Sequence, residues 1–169
     1  MATLIKNRAI TADSWQLLEL PSGDANPSVP AAGDILVPLA LWQAAKSSLV
    51  RRAGRTGVIL DPADDPAILA ADIGSIPLIA VRFPKFSDGR GYSTGRLLRE
   101  RYKFKGELRA IGDVLRDQLS LMERCGFDSF LLREDHDATV ALAAFRDFSE
   151  AYQASVEQPV PLFRRRVPA

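Results

Sequence analysis

A run of glycines and arginines is the stretch of this sequence best suited to chemistry. Residues 87–96 read SDGRGYSTGR and combine three glycines with hydroxyl and guanidinium side chains. Backbone N–H groups and hydroxyls at a helix N-terminus favour an anion, and arginine adds bidentate hydrogen bonds to phosphate, a sulfur oxyanion or carboxylate. We therefore predict an anion-binding, basic Gly-rich loop over residues 87–101, with these ligand-contacting residues: Arg90, Gly91, Ser93, Thr94, Arg96 and Arg99.

The charge around this loop agrees with an anion site. Between Arg82 and Arg109 the chain holds nine Lys or Arg and three Asp or Glu, a local charge of +6, whereas the whole chain carries +1. Positive charge gathered in one stretch of a balanced chain indicates a localised site rather than a generally basic protein. The alternative is that Thr94 is an ordinary N-cap and that the arginines form a solvated face paired with Glu100 and Glu107.

Carboxylates that follow predicted strands are the second group of candidates. Asp61, Asp113 and Glu134 stand at such positions and are candidates for a general base or a metal ligand. The alternative is that Asp113 is the N-cap of the next helix and that Asp61 is a turn former. No catalytic residue is assigned from the sequence.

The sequence contains few side chains that could bind a metal ion or an iron–sulfur cofactor. Cys125 is the only cysteine and His136 the only histidine. One thiol cannot form a Cys-rich zinc site or hold an iron–sulfur cluster. We predict no metal and no cofactor.

Short apolar runs alternate with helical patterns from residue 34 onward. The runs 34–38, 57–61, 76–83, 107–111 and 128–132 predict strands, and the segments 39–54, 66–74, 94–102, 114–125 and 136–152 predict helices. Most of the runs are apolar without strict alternation, which is typical of a parallel sheet. We predict an α/β fold with an open, mostly parallel sheet of about five strands and helices on both faces. Ligands of such sheets bind at the carboxyl ends of the strands.

The two ends of the chain differ from this central part. Residues 1–33 predict a small N-terminal β element, turning at residues 10–14 and pinned by Trp15, followed by a Pro/Gly-rich linker over 21–33. Residues 34–153 form the α/β domain. Residues 154–169 predict an extended Pro/Arg-rich tail, through which homo-oligomers could form.

Several classes of protein are disfavoured by composition. No apolar run approaches the length of a membrane span, and no secretory signal is evident, so we expect a cytoplasmic protein without membrane association. The sequence pI of about 7.9 lies below that of most nucleic-acid-binding domains, which disfavours such a partner.

The segment DGRGYSTGRLLRERYKFKGELRAIGDVLRDQLSLMERCGFDSFLLR, with the ILVPLALW and AFRDFSEAYQ stretches, resembles an uncharacterised bacterial family. That family, a domain of unknown function, is often labelled a probable oxidoreductase of sulfite reduction because its genes lie beside those of assimilatory sulfite reductase. The resemblance implies a pathway and a possible partner, sulfite reductase, but no catalytic residue.

The residues fit an accessory role better than a redox reaction. No GxGxxG follows the first predicted strand, and Cys125 alone cannot hold the cluster of a sulfite reductase. We expect an accessory protein that binds an oxyanion or an acidic partner surface through residues 87–101. Two alternatives stay open: a small enzyme acting on a phosphate- or sulfate-bearing metabolite with a carboxylate base, and a self-associating structural protein.

Overall fold

One mixed sheet of eight strands organises the described part of the chain. The computed structural model describes residues 3–19 and 29–165. The sheet order is β2-β1-β8-β7-β6-β5-β4-β3, in which β3 to β8 run parallel and β1 runs antiparallel to both neighbours. The strands are β1 Thr3–Lys6, β2 Ala9–Thr11, β3 Gln16–Leu17, β4 Ile35–Pro38, β5 Thr56–Leu60, β6 Leu78–Phe83, β7 Glu107–Gly112 and β8 Ser129–Leu132.

Short helices connect the parallel strands. The α-helices are α1 Leu39–Leu49, α2 Arg90–Glu100, α3 Leu119–Arg124, α4 Ala138–Ala141 and α5 Leu162–Arg165; 3₁₀ turns cover Pro66–Leu69, Arg116–Gln118 and Leu142–Arg146. The predicted helices over 66–74 and 136–152 are therefore too long. Beyond Arg146 the next residues are exposed, and a helix without a packed face has little to stabilise it.

The predicted sheet is correct in its five central strands and wrong in its size and type. All five apolar runs form parallel strands, but β1, β2 and β3 extend the same sheet and make it mixed. The N-terminal segment is thus part of the main sheet rather than an appended β element. Its first turn lies at Asn7–Arg8, not at residues 10–14. Both turn residues have left-handed φ, 50° and 61°, as tight hairpins with right-handed twist require.

Helices cover one face of the sheet, which corrects the prediction of helices on both faces. Buried residues of α1, α2, α3 and α4 all join one core cluster with strand residues such as Ile79 and Leu108. The opposite face carries a smaller cluster built from strand residues, with Trp15 and Leu131 packed against it. Strands β3 to β8 lie in chain order, so consecutive crossovers place their helices on the same side.

The sheet is curled so that its two edges approach each other. A flat sheet of eight strands would be about 34 Å wide at the usual strand spacing. The edge strands β2 and β3 are joined by residues 12–15 alone, and a fully extended chain from Thr11 to Gln16 spans at most about 18 Å. The helix-free face is therefore the concave interior of the curl.

A buried charge network lies inside this curl. Arg109 is 1% exposed and donates to both carboxylate oxygens of Asp13 at 2.9 Å and to Glu107 at 2.8 and 2.9 Å. Glu107 also accepts from Lys6 at 2.6 Å. Since Asp13 belongs to the segment that joins β2 and β3, the network connects the segment between the two sheet edges to the central strand β7.

The tail lies partly on the body of the protein. The backbone N–H of Val156 donates to the carbonyl of Arg124, and Arg165 pairs with Glu150 at 2.8 Å. The predicted linker is described only from Val29 onward, and residues 166–169 lie outside the described part of the chain.

The buried network makes stability depend on pH. Burial pushes the pKa of Glu107 upward, but the hydrogen bond from Lys6 and the charge of Arg109 outweigh burial, and the pKa lies below its ordinary range. The unfolded chain therefore binds this proton more readily, and the contribution of Glu107 is complete above about pH 4.3 and is lost as pH falls through the lowered pKa.

We expect Glu107→Gln to lower the free energy of unfolding at pH 7 by roughly 2–4 kcal/mol, since it leaves buried Arg109 with one carboxylate fewer. Urea titrations at pH 7 and pH 3 should show this difference shrinking in acid. Glu100→Gln, at an exposed helical pair, is the control and should change stability by less than about 0.5 kcal/mol. An undiminished Glu107→Gln difference at pH 3 would contradict the assignment.

Candidate functional site

The predicted anion loop is largely a helix. Helix α2 begins at Arg90, with Gly89 as its N-cap residue. The Asp88 carboxylate accepts from the backbone N–H of Arg90 at 3.2 Å, so a side chain one position earlier satisfies a free donor of the first turn. Thr94 is not an N-cap: it is buried inside the helix, and its hydroxyl donates to the carbonyl of Arg90 at 3.4 Å.

The glycines of α2 serve packing against the sheet. A Cβ atom on Gly91 would lie 2.6 Å from the Phe83 ring, and one on Gly95 would lie 2.4 Å from the Phe127 ring. Both positions fall on the buried face of the helix, one turn apart. The glycines therefore let α2 approach two core aromatic rings. They do not line an open anion-binding loop.

Arg90 and Arg96 are exposed and are held by acids of their own segment. Arg90 donates to Asp88 at 2.7 and 3.0 Å, and Arg96 donates to Glu100, one helical turn later, at 2.9 Å. The hydrogen bond from Arg90 holds the pKa of Asp88 below its usual range. Ser93 is also exposed, and these side chains share the outer face of α2. Both ion pairs are local and solvated, so little free energy is needed to exchange either carboxylate for another.

Arg99 differs from the other two arginines because it is committed to the fold. Its guanidinium donates to the carbonyls of Phe104, Gly106 and Gly126 at 2.8–2.9 Å and to Asp128 at 2.7 Å. Its side chain is 13% exposed. An anion bound here would have to replace several of these bonds.

The cavity beside Arg99 is acidic. It measures about 380 Å³, and the charged residues that line it are Arg8, Arg99, Glu123, Asp128 and Glu157. Three carboxylates thus face two guanidinium groups, and Arg8 is itself bidentate to Glu123 at 2.7 and 2.8 Å. This balance disfavours a free anion in that cavity.

The predicted carboxylates follow the strands as expected, and two of them are bound to arginines. Asp61 follows β5 and lies 2.9 Å from Nε of Arg82, whose guanidinium also reaches Glu19. Asp113 follows β7 and accepts from the backbone N–H of Phe86 at 2.9 Å, so it does not cap the next helix.

Arg133, just beyond β8, joins this edge. It donates to Asp113 at 2.8 Å and to Asp135 at 2.6 and 2.8 Å, and the hydrogen bond with Arg133 lowers the pKa of Asp135. His136 lies 3.4 Å from the same guanidinium. Glu134 follows β8 and is exposed. The edge therefore alternates acids and arginines around the strand ends.

Sequence reasoning missed the interior network as a functional or structural group. Its signal is the pattern ELR at the start of β7: Glu107 and Arg109 are two residues apart on a strand and so share one face, while Leu108 points to the other. A charged pair on one face of an otherwise apolar strand indicates either a buried ion pair or a face of the sheet that is exposed to solvent.

Other ligand chemistry finds no assembled group in the described residues. Across 3–19 and 29–165, no three His, Cys, Asp or Glu side chains are grouped to hold a metal ion. Burial raises the pKa of the half-buried Cys125 thiol. Within the same ranges, every helix is too short or too polar to cross a bilayer.

A family match covers more than half of the chain. The model of a family described as a bacterial protein of unknown function (DUF934) matches residues 57–163, from β5 to α5, and so includes α2 and the carboxyl ends of β5 to β8. Comparison with curated proteins and with solved structures found no match.

The close approach of α2 to the core makes a prediction about Gly95. We expect Gly95→Ala to lower the free energy of unfolding by roughly 1–3 kcal/mol, because the methyl group meets the buried Phe127 ring. A gain in helix propensity, about 1 kcal/mol at most, would offset only part of this. Gly74→Ala, which meets no atom within 4 Å, is the control. Equal urea midpoints for the two variants would contradict the packing role.

Proposed function

This chain belongs to a bacterial protein family of unknown function, DUF934, and we propose that it is an accessory protein of assimilatory sulfite reduction. In this proposal it docks on an acidic surface of a partner, sulfite reductase, through the outer face of α2. The docking role is supported by one observation: exposed Arg90 and Arg96 pair with acids of their own segment. Carboxylates of a partner protein can replace the acids in these bonds. The pathway follows from the resemblance of residues 88–133 described above.

A protein partner fits this helix better than a small anion does. The first turn of α2 packs Gly91 against Phe83, and the Thr94 hydroxyl is used inside the helix. Arg99 is held by backbone carbonyls and Asp128. What is left for a ligand is an exposed helical face with two replaceable ion pairs, which suits contact with another surface.

The alternative, a small enzyme acting on a phosphate- or sulfate-bearing metabolite, is favoured by one observation. Arg82 pairs with Asp61, and Arg133 pairs with Asp113 and Asp135, at the ends of parallel strands, where either arginine could hold an anion beside a carboxylate base. Because every one of these arginines is already paired, substrate binding would require the acids to move away.

The docking role predicts a salt-sensitive complex. In cells growing on sulfate, the tagged protein should recover sulfite reductase, and Arg90→Ala with Arg96→Ala should reduce that recovery at least fivefold, with a further loss as salt rises. Arg51→Ala with Arg146→Ala, at two exposed arginines on other segments, should leave recovery unchanged. Recovery of no sulfur-assimilation protein, together with normal growth on sulfate after gene deletion, would contradict the proposal.

Thermal unfolding in the presence of anions separates the two roles. We expect 10 mM sulfate or phosphate to raise the unfolding temperature no more than chloride of equal ionic strength. An anion site with a Kd near 0.1 mM would instead stabilise the protein by about 2.7 kcal/mol, a shift of several degrees. A sulfate-specific shift that Arg82→Ala or Arg133→Ala abolishes would favour the enzyme.

A further inference from the structure

The turn between α2 and β7 carries three cations on its outer side. Arg101, Lys103 and Lys105 are exposed, whereas Tyr102 is half-buried and Phe104 is 2% exposed. The chain thus alternates, with every second side chain directed outward and the residues between anchored to the body. Three like charges are displayed within five residues.

These cations have no carboxylate partner among the described residues, unlike the other arginines of the basic segment. Arg82, Arg90, Arg96, Arg99 and Arg109 are each paired with an acid. The acids that adjoin the turn are bonded to other groups: Glu100, the residue before Arg101, accepts from Arg96. Glu107 bonds to Lys6 and Arg109, and Asp128 accepts from Arg99 and from the backbone N–H of Leu108. The positive charge of the turn is therefore not balanced by an ion pair among the described residues, and Arg101 has only the ring of Tyr102 beside it, at 5.8 Å.

The turn is also held in one shape. Nη1 of Arg99 donates to the carbonyls of Phe104 and Gly106 at 2.8 Å each, so a nearly buried guanidinium fixes both sides of the last cation. Lys103 adopts a left-handed φ of 57°, a conformation that is uncommon for lysine. A rigid display of charge loses little conformational entropy when it binds.

We propose that Arg101, Lys103 and Lys105 form the binding site for an acidic segment of the partner protein. This site follows the C-terminal end of α2, whereas Arg90 lies at its N-terminal end. The inference rests on the proposed function. It adds that these three cations provide most of the electrostatic attraction in the complex. Since Arg90 and Arg96 must first release their own acids, free cations contribute more attraction per contact. The outer face of α2 then determines the orientation of the partner protein, and the cationic turn provides most of the positive charge that attracts it.

An acidic protein segment fits this turn better than a nucleic acid. Three cations would neutralise about three phosphates, and the whole chain carries a net charge of only +1. Nucleic-acid binding of that size is weak at physiological salt because its affinity grows with the number of phosphates contacted. An acidic segment of a few residues, by contrast, matches both the charge and the extent of the turn.

The test uses a fluorescein-labelled twelve-residue peptide of alternating Glu and Ser, titrated with the full chain and followed by anisotropy at 50 and 300 mM salt. We expect saturable binding that weakens at the higher salt concentration. Arg101→Glu with Lys103→Glu and Lys105→Glu should weaken it at least tenfold. The matched control reverses three exposed cations elsewhere, Arg51→Glu with Lys85→Glu and Arg146→Glu, and should change affinity less than twofold, since distant charges are screened.

A second variant separates charge from folding. Lys103→Gly removes one cation at a position where glycine suits the backbone, so it should keep or raise thermal stability while weakening peptide binding two- to fivefold. A triple variant that binds as well as the unaltered protein would overturn the proposal. So would an equal loss in the control, or tighter binding of a single-stranded DNA of the same charge as the peptide.

The pull-down with sulfite reductase distinguishes this failure from that of the proposed function. If the reductase is recovered but the triple reversal changes neither recovery nor peptide binding, the cationic turn is wrong and the docking role stands. If the peptide binds as expected but no sulfur-assimilation protein is recovered, the turn remains an acidic-segment site and the pathway assignment is wrong.

Discussion

The ion-pair network around Arg109 is the interaction on which the curled sheet depends. A guanidinium that is almost completely removed from water is tolerated only when carboxylates and hydrogen bonds surround it. Here Glu107 comes from the same strand and Asp13 from the chain that bridges the gap between the edge strands. The desolvated charge therefore requires the bridging segment to be in place, and the N-terminal strands become part of the main sheet.

The curl in turn decides where ligands can be bound. Helices cover the convex face, and the small apolar cluster with the Arg109 network occupies the concave face. The surfaces left accessible to a ligand are thus the two ends of the strands and the outer faces of the helices. Helix α2 runs from one end of β6 to the start of β7, so its basic residues are distributed between both ends. A single charged segment in the sequence becomes two separate surfaces in the fold.

Much of the central fold could be predicted from the sequence, because buried parallel strands are mostly apolar. The runs around Ile59, Ile79 and Phe130 are of this kind. The pairings of β1 with β8 and of β3 with β4 could not be predicted, since the first joins residues more than a hundred positions apart and the second depends on a strand of two residues. Local composition carries little information about contacts of that range.

The local structure of the predicted anion loop was wrong, because residues 90–100 form helix α2. Three glycines within seven residues are typical of a loop, yet Gly91, Thr94, Gly95 and Leu98 have the spacing of a buried helical face. The partners of the arginines also decide their roles. Arg96 and Arg99 are three residues apart in the same helix, but only Arg99 donates to a carbonyl of the following turn.

The gap in the curled sheet has a consequence for behaviour at high concentration. Unpaired sheet edges template aggregation when they are long and flat, and a closed barrel avoids this by having none. This sheet is not closed, but its edge strands contain three residues and two residues. Each offers few free backbone groups to a strand from a neighbouring molecule, so short edges limit edge-to-edge pairing without closure.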